Sequence, residues 1–171
     1  DVTLVTGRTA IESPPFVETI QITSAEDMYN AVTERFSESD VAIMAAAIAD
    51  YTPENFSENK IKKHSGDMCI PLKRTKDILS EICKSKRDNQ FVCGFSMETE
   101  NMLENSRKKL KKKNLDMIVA NSLKMEGAGF GGNTNVVTVI TEALRSGWKV
   151  YAAAVTDEYT IKALLLTVKA T

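Results

Sequence analysis

Three short segments of the sequence combine residues that could bind a phosphorylated ligand. Asp50 follows the run AAAIA, whose small side chains would let a flat ligand approach the backbone, and its carboxylate could accept hydrogen bonds from a ribose or an amino group. Lys60 begins the run KIKK, where a lysine could close over phosphate charge that develops in a transition state. Lys109 and Lys113 lie in RKKLKKK and would be one turn apart on a helix, so both ammonium groups could bind one polyphosphate.

Each of these segments also has an ordinary interpretation. Asp50 could cap a helix or a turn, KIKK could be a solvated basic patch, and cations near the end of a helix interact favourably with its dipole without any ligand. The run GAGFGG, residues 127–132, lacks the P-loop and dinucleotide patterns and could instead close over a site or contact a neighbouring subunit. Glu98 and Glu100 could form an acid–base pair or flank a turn, and the only histidine, His64, lies in a polar segment typical of a solvated side chain.

Strands and helices are predicted to alternate along the chain. Apolar runs and period-two patterns predict strands at Val2–Val5, Phe16–Ile22, Val41–Ala47, Phe91–Ser96, Leu115–Ala120 and Val136–Thr141. Helical periodicity predicts a first helix that ends near Ser37, helices at Asp77–Lys84 and Glu100–Lys113, and a strand and a helix in the tail around Asp157–Thr167. This order predicts right-handed βαβ crossovers and an α/β fold with a doubly wound, mostly parallel sheet.

Some of these elements carry more specific predictions. Thr23 and Glu26 form a T-x-x-E capping box for the first helix. The continuous apolar run Val41–Ala47 is typical of a central strand that is covered on both faces. The polar segment Asp50–Pro71 lacks periodicity and is predicted to be a long loop. Ligands of open parallel sheets collect at the carboxyl ends of strands, and Asp50 lies just beyond such an end.

The composition fits one globular domain that spans residues 1–171. Of the residues, 43% are hydrophobic and 26% are charged, which suffices for a core. A formal net charge of -1 argues against a general nucleic-acid binder, and no apolar run is long enough to span a membrane. The N-terminus lacks a signal-peptide pattern, so we expect a cytoplasmic location. Cys69, Cys83 and Cys93 lack CxxC spacing, so we expect reduced cysteines that mostly serve packing.

Six collinear segments of the chain form one pattern: MAAAIADY, ENKIKK, TKDI at Thr75–Ile78, CGFSMET at Cys93–Thr99, KKKNLDMIVAN at Lys111–Asn121, and GFGGNTN. Their order and spacing resemble the motifs of bacterial phosphopantothenoylcysteine synthetase. The resemblance covers about Asp1–Thr141, and the tail after Gly147 departs from it. In bacteria this ligase is usually fused behind a flavin-dependent decarboxylase, so FMN would belong to that fused domain and not to this chain.

The resemblance implies a Rossmann-like fold and a defined reaction. The enzyme would form an amide between 4'-phosphopantothenate and L-cysteine, with CTP as the energy source and Mg2+ as the metal. The substrate carboxylate would attack the α-phosphate of CTP and release pyrophosphate, and the cysteine amine would then attack the acyl-cytidylate and release CMP. The family acts on small molecules as a homodimer, and the resemblance implies neither a nucleic-acid nor a membrane partner.

The resemblance also implies a role for particular residues in the first half of the chain. Met44, Ala45 and Ala46 would line the nucleotide pocket through their backbone, and Asp50 would hold the nucleoside. Lys60 would be the catalytic residue that stabilises charge on the α-phosphate.

Further nucleotide contacts are implied along the rest of the chain. The family has a Pro-Asp-Ile-Val-like segment that contacts the nucleotide. In this chain the corresponding residues are Lys76, Asp77, Ile78 and Leu79 (KDIL), with Lys76 in place of the proline. Phe95 would pack against the nucleotide. Lys109 and Lys113 would bind the triphosphate.

One departure from the family limits the expected activity. The family's first strand, its helix and an asparagine segment that serves the second half-reaction are missing, so the chain is expected to be N-terminally truncated relative to the family. An alternative is therefore a non-catalytic nucleotide-binding or assembly fragment. A dinucleotide-dependent oxidoreductase is disfavoured because the first GxGxxG turn and its downstream acid are absent.

Overall fold

The computed structural model describes residues 1–62, 65–122, 124, 136–141, 148–154 and 164–170. The chain forms two compact units, the first made of Asp1–Ser37 and Ala46–Glu81 and the second of Glu38–Ala45 and Ile82–Thr171. The described strands are β1 Thr3–Thr6, β2 Glu18–Gln21, β3 Val41–Met44, β4 Tyr51–Pro53, β5 Leu72–Arg74, β6 Phe91–Glu98, β7 Met117–Ser122, β8 Val137–Thr141, β9 Trp148–Ala154 and β10 Leu164–Ala170. The described helices are α1 Ala25–Phe36, α2 Ile78–Lys84 and α3 Met102–Lys112.

The first unit contains two small strand pairs. Strands β1 and β2 are parallel, with Thr3 opposite Glu18, and α1 follows β2. Strands β4 and β5 are antiparallel, with Tyr51 opposite Arg74. Strand β4 lies inside the segment Asp50–Pro71 that was predicted to be a loop throughout, so the connection between the two strands is residues 54–71. Its ends meet where the Glu54 N–H donates to the Pro71 carbonyl over 2.9 Å. The two ends of the loop are therefore adjacent and joined by a backbone hydrogen bond.

The cap of α1 lies one residue later than predicted. Ser24 is the N-cap, and its hydroxyl accepts a hydrogen bond from the Asp27 N–H at 3.1 Å. The Asp27 carboxylate accepts in return from the Ser24 N–H at 2.9 Å and from the Thr23 hydroxyl at 2.9 Å. Thr23 thus supports the box without capping the helix, and the Glu26 carboxylate contacts Lys76 instead. The predicted end near Ser37 is confirmed, since Ser37 is the C-cap.

Replacing Asp27 with asparagine is expected to remove a pH-dependent part of the stability. Hydrogen bonds with Ser24 and Thr23 lower the pKa of Asp27 below its usual 3.8. Its contribution is therefore present above the unfolded-state pKa and is lost as the pH falls through the lower folded-state value. Urea unfolding of the protein and the variant at about pH 7 and about pH 3 checks this. A stability difference that is the same at both pH values would contradict it.

The second unit is built on a four-stranded sheet in the order β3-β6-β7-β8. Strand β6 is parallel to β3, with Val41 opposite Phe91, and parallel to β7, with Cys93 opposite Met117. Strand β8 is antiparallel to β7. The prediction of an α/β fold with a mostly parallel sheet is confirmed for these strands. Strands β9 and β10 form a separate antiparallel pair.

The core of the second unit lies around β6 and β7. Phe91, Cys93, Met117 and Val119 form one buried cluster, and alternate positions such as Val92 are buried as well. Both faces of these strands are therefore covered, and burying each large side chain contributes roughly 1.5–3 kcal/mol. Burial also raises the pKa of the Cys93 thiol to about 12. The prediction that the cysteines serve packing holds for Cys83 and Cys93, whereas Cys69 is exposed.

The prediction that Val41–Ala47 is a central, fully covered strand is wrong. Strand β3 ends at Met44 and, among the described strands, is the first of the four-stranded sheet, where it pairs with β6. Its side chains are half-buried at most, and Ile43 is 44% exposed. The side chains of β3 are only partly buried, so apolar composition alone did not distinguish it from the more deeply buried strands β6 and β7.

The tail differs from its prediction, and some predictions fall on residues outside the description. Leu164–Thr167 lie in β10 and not in the predicted helix, because they pair with β9 along its length. The Gly127–Gly132 run and His64 lie outside the described residues. No helix in the described part of the chain is long and apolar enough to cross a membrane.

Candidate functional site

Strand β6 and helix α3 bring two predicted residues of the second unit together. Phe95 is half-buried in β6, and the Lys109 ammonium group donates a hydrogen bond to its carbonyl oxygen at 3.0 Å. The contact holds the ammonium group of α3 at the backbone of the strand.

The lysines and the arginine of the basic run on α3 differ in how far they are buried. Lys109 and Lys113 are half-buried, whereas the other cations of the run are exposed. Lys113 is the C-cap of α3, and its N–H donates to the Lys109 carbonyl at 3.0 Å. Leu110, between them, is buried in the core. The two lysines that spacing singled out are therefore the cations closest to the sheet side of the helix.

Glu98, at the carboxyl end of β6, is held by neutral donors. The buried Ser96 donates its hydroxyl to Glu98 Oε1 at 3.0 Å, and the Asn105 amide donates to Glu98 Oε2 at 3.2 Å. Glu100 contacts Lys124 instead, at 3.3 Å. The two carboxylates therefore have separate partners, and the two residues flank the turn before α3. Asn105 was not predicted from the sequence, where its one signal is its position one turn before Lys109.

A second group of predicted residues meets in the first unit. The Thr75 N–H donates to the Asp50 carbonyl at 3.0 Å, and the Thr75 hydroxyl donates to the Ala49 carbonyl at 2.7 Å. These bonds join the segment before β4 to the turn between β5 and α2. Asp50 begins no helix, because β4 follows it directly, and its side chain is exposed. Ala46 is exposed in the same unit.

The side chains of Asp77, Ile78 and Leu79 in the KDIL segment make contacts within the protein. The Asp77 carboxylate accepts from the Ser80 N–H at 3.0 Å and from the Ser80 hydroxyl at 2.8 Å, as the N-cap of α2. Ile78 is buried and Leu79 is half-buried. The side chains of this segment are therefore occupied by contacts within the protein, and its nucleotide contact stays a prediction.

Lys76 is directed at α1 rather than at a ligand. Its ammonium group lies 2.6 Å from Glu26 Oε1 and 4.3 Å from the centre of the Tyr29 ring. The hydrogen bond to Glu26 raises the pKa of Lys76 above its usual value. This side chain ties the turn to the helix, so its contribution to a nucleotide site would be that of its backbone.

The remaining predicted residues lie at exposed positions or near the edge of the sheet. Lys60 is exposed in the loop between β4 and β5. Met44 ends β3 and is half-buried, and Ala45 follows it and is exposed. Among the residues described, no three His, Cys, Asp or Glu side chains are grouped as a metal site requires. The described side chains therefore do not form a site that would hold Mg2+ through protein ligands alone.

The chain belongs to the family of C-terminal domains of DNA/pantothenate metabolism flavoproteins, whose sequence profile matches residues 1–162. It is 45% identical over 139 residues to the coenzyme A biosynthesis bifunctional protein CoaBC of Bacillus subtilis, covering 81% of this chain and 34% of that protein. It is also 48% identical over 144 residues to a "Cysteine/Cysteine sulfinic acid decarboxylase" of an unknown prokaryotic organism, covering 84% of this chain and 40% of that protein.

A solved structure supports the same fold. The crystal structure of the C-terminal domain of CoaBC has a TM-score of 0.66 and 38% identity, covering 84% of this chain and 62% of that chain. The Rossmann-like fold and the resemblance to the synthetase part of CoaBC are thereby confirmed. This chain spans less than half the length of the two relatives above.

Proposed function

We propose that this chain is a CTP-dependent ligase domain of coenzyme A biosynthesis that activates 4'-phosphopantothenate for its union with L-cysteine. The observation that carries the proposal is the arrangement at β6 and α3. The Lys109 ammonium group contacts the Phe95 carbonyl, and Lys109 and Lys113 are the half-buried cations of the basic run on α3. The chain is also similar in sequence to CoaBC. Two neighbouring ammonium groups beside an aromatic residue suit a polyphosphate next to a flat nucleoside.

The proposed reaction has two balanced steps. A carboxylate oxygen of 4'-phosphopantothenate bonds to the α-phosphorus of CTP, and the bond from that phosphorus to the β-phosphate oxygen breaks, which releases pyrophosphate. The cysteine nitrogen then bonds to the acyl carbon, CMP leaves with the electrons of the acyl–oxygen bond, and the amine loses a proton. Lys109 and Lys113 would bind the triphosphate, and Lys60 would stabilise charge on the α-phosphate.

The residues of the first unit would contribute mainly through their backbone. The exposed Ala46 would let the nucleotide approach closely, and the carboxylate of Asp50 would accept hydrogen bonds from the nucleoside. Asp77 to Leu79 would offer backbone groups, since the Asp77 carboxylate already caps α2. Mg2+ is assigned no protein ligand, and no step of the proposal depends on it. A single domain, a homodimer and a cytoplasmic location stay predictions.

The activity is tested with the natural polypeptide that carries this chain. It is mixed with CTP, Mg2+ and 4'-phosphopantothenate without cysteine, and pyrophosphate and the acyl-cytidylate are measured. We expect both products, with CTP preferred over ATP, and an amide product with CMP once cysteine is added. Absence of pyrophosphate with either nucleotide would refute the proposal.

A second candidate function is a non-catalytic nucleotide-binding or assembly module. It is favoured by the exposed position of Lys60, the residue assigned the catalytic role, because an exposed lysine of a basic run is equally typical of a solvated patch. Under this alternative the natural polypeptide would bind CTP and self-associate, yet release no pyrophosphate. The same experiment therefore distinguishes the two.

A further inference from the structure

Two side-chain hydrogen bonds, one helical turn apart, join α3 to the second half of β6. Lys109 donates to the Phe95 carbonyl at 3.0 Å, and Asn105 donates through its Nδ2 to Glu98 Oε2 at 3.2 Å. Asn105 and Lys109 are four residues apart, so they lie on one face of the helix. Asn105, earlier in the helix, bonds to Glu98, which is later in the strand than Phe95. This order is expected when the helix is antiparallel to the strand.

The Asn105 amide has a defined orientation. Its Nδ2 donates both to Glu98 and, over 3.1 Å, to the Glu100 carbonyl. Both neighbours can only accept here, so the nitrogen and not the oxygen of the amide must face them. The other oxygen of Glu98 accepts from Ser96, which is only 4% exposed. Asn105 is thereby linked through Glu98 to a buried point of β6.

This bridge matters because the start of α3 lacks an ordinary cap. Asn101, at the N-cap, has a left-handed backbone with φ 50° and makes no side-chain capping bond. Helix N-termini are usually fixed by such a bond. The Asn105–Glu98 hydrogen bond, within the second turn, is therefore a main polar anchor of this end of the helix among the described residues.

We propose that Asn105 and Glu98 are positioning residues that set where the Lys109 ammonium group lies, and so set the affinity for the triphosphate of CTP. The inference rests on the proposed role of Lys109. If the anchor is lost, the start of α3 can shift along β6, and the bond from Lys109 to the Phe95 carbonyl is no longer held in place. Because Lys109 would bind the triphosphate in the ground state, the effect should fall on Kd and KM for CTP rather than on kcat.

The test measures CTP binding by calorimetry and steady-state kinetics in the natural polypeptide that carries this chain. Asn105→Ala is expected to raise Kd and KM for CTP about five- to tenfold, with little change in kcat. Glu98→Gln keeps one acceptor oxygen and should have a smaller effect in the same direction. Glu104→Gln is the matched control, since Glu104 lies in the first turn of the same helix but pairs on the surface with Lys108 at 2.6 Å.

A double-variant comparison separates positioning from a general loss of structure. If Asn105 acts through Lys109, then Asn105→Ala should raise Kd no further in a Lys109→Met background. Full additivity of the two effects, or an unchanged Kd in Asn105→Ala, would overturn this inference while leaving the proposed function intact. An unaltered protein that binds no CTP would overturn both. Glu98→Gln, which disturbs folding least, keeps the test informative if Asn105→Ala proves unstable.

Discussion

Replacing Lys60 with glutamine is expected to lower the rate of pyrophosphate release from CTP and 4'-phosphopantothenate about 10²- to 10³-fold. Lys60 is exposed in the loop between β4 and β5, whose ends are joined by the bond from Glu54 to Pro71. A cation on such a loop can approach the α-phosphate as negative charge develops there. Because this interaction would be made mainly in the transition state, KM for CTP should change much less than the rate.

The rate is measured in a single turnover, with enzyme in excess over CTP, so that product release does not limit it. Lys62→Gln is the matched control, because Lys62 lies in the same KIKK run and is also exposed. We expect Lys62→Gln to change the rate only about twofold, through the general field of the loop. Equal effects of the two substitutions would support the ordinary interpretation of KIKK as a solvated basic patch.

Replacing Lys86 with methionine is expected to destabilise the fold by about 3–5 kcal/mol. The Lys86 side chain is 2% exposed, and its ammonium group lies 2.9 Å from Asp116 Oδ2 and 2.7 Å from the Asn114 carbonyl. The same Asp116 oxygen accepts from the Val92 N–H at 2.8 Å. The pair therefore joins the segment after α2 to the starts of β6 and β7, and removing the cation leaves the Asp116 carboxylate poorly compensated.

Urea unfolding measures the effect, and a second substitution tests its cause. Asp116→Asn removes the charge but keeps an oxygen for the Val92 N–H, so the variant with both Lys86→Met and Asp116→Asn should be less destabilised than the sum of the single changes. Lys108→Met is the surface control, because Lys108 and Glu104 are 70% and 65% exposed, and it should cost about 0.5 kcal/mol or less. Strictly additive losses would show that the charges are not coupled.

The order of elements could be predicted from the sequence because it depends on local patterns. Strand β6, helix α3 and strand β7 formed where apolar runs and helical periodicity placed them. The first capping box was displaced by one residue because Thr23 and Ser24 are both good caps and only the backbone geometry selects between them. The helix predicted in the tail was wrong from Leu164 onward, because pairing with β9 overrides local helical preference there.

The candidate site could be predicted in part. Spacing placed Lys109 and Lys113 one turn apart, and the structure shows that these two are half-buried while the rest of the run is exposed. Spacing could not predict that Lys76 contacts Glu26, because the two residues are far apart in sequence. It also could not distinguish a catalytic acid pair from the separate partners that Glu98 and Glu100 have.

Some features of the candidate site follow from the sequence, and others follow only from the tertiary structure. The sequence by itself determined the alternation of strands and helices, the family and the identity of the cations, because these depend on residue types at short spacing. Only the tertiary structure decided that Lys109 meets the Phe95 carbonyl, that Asn105 meets Glu98, and that Lys86 is buried with Asp116. Such contacts depend on strand register and on which face of a helix packs on the sheet, and both result from the summed burial of many residues rather than from any local pattern.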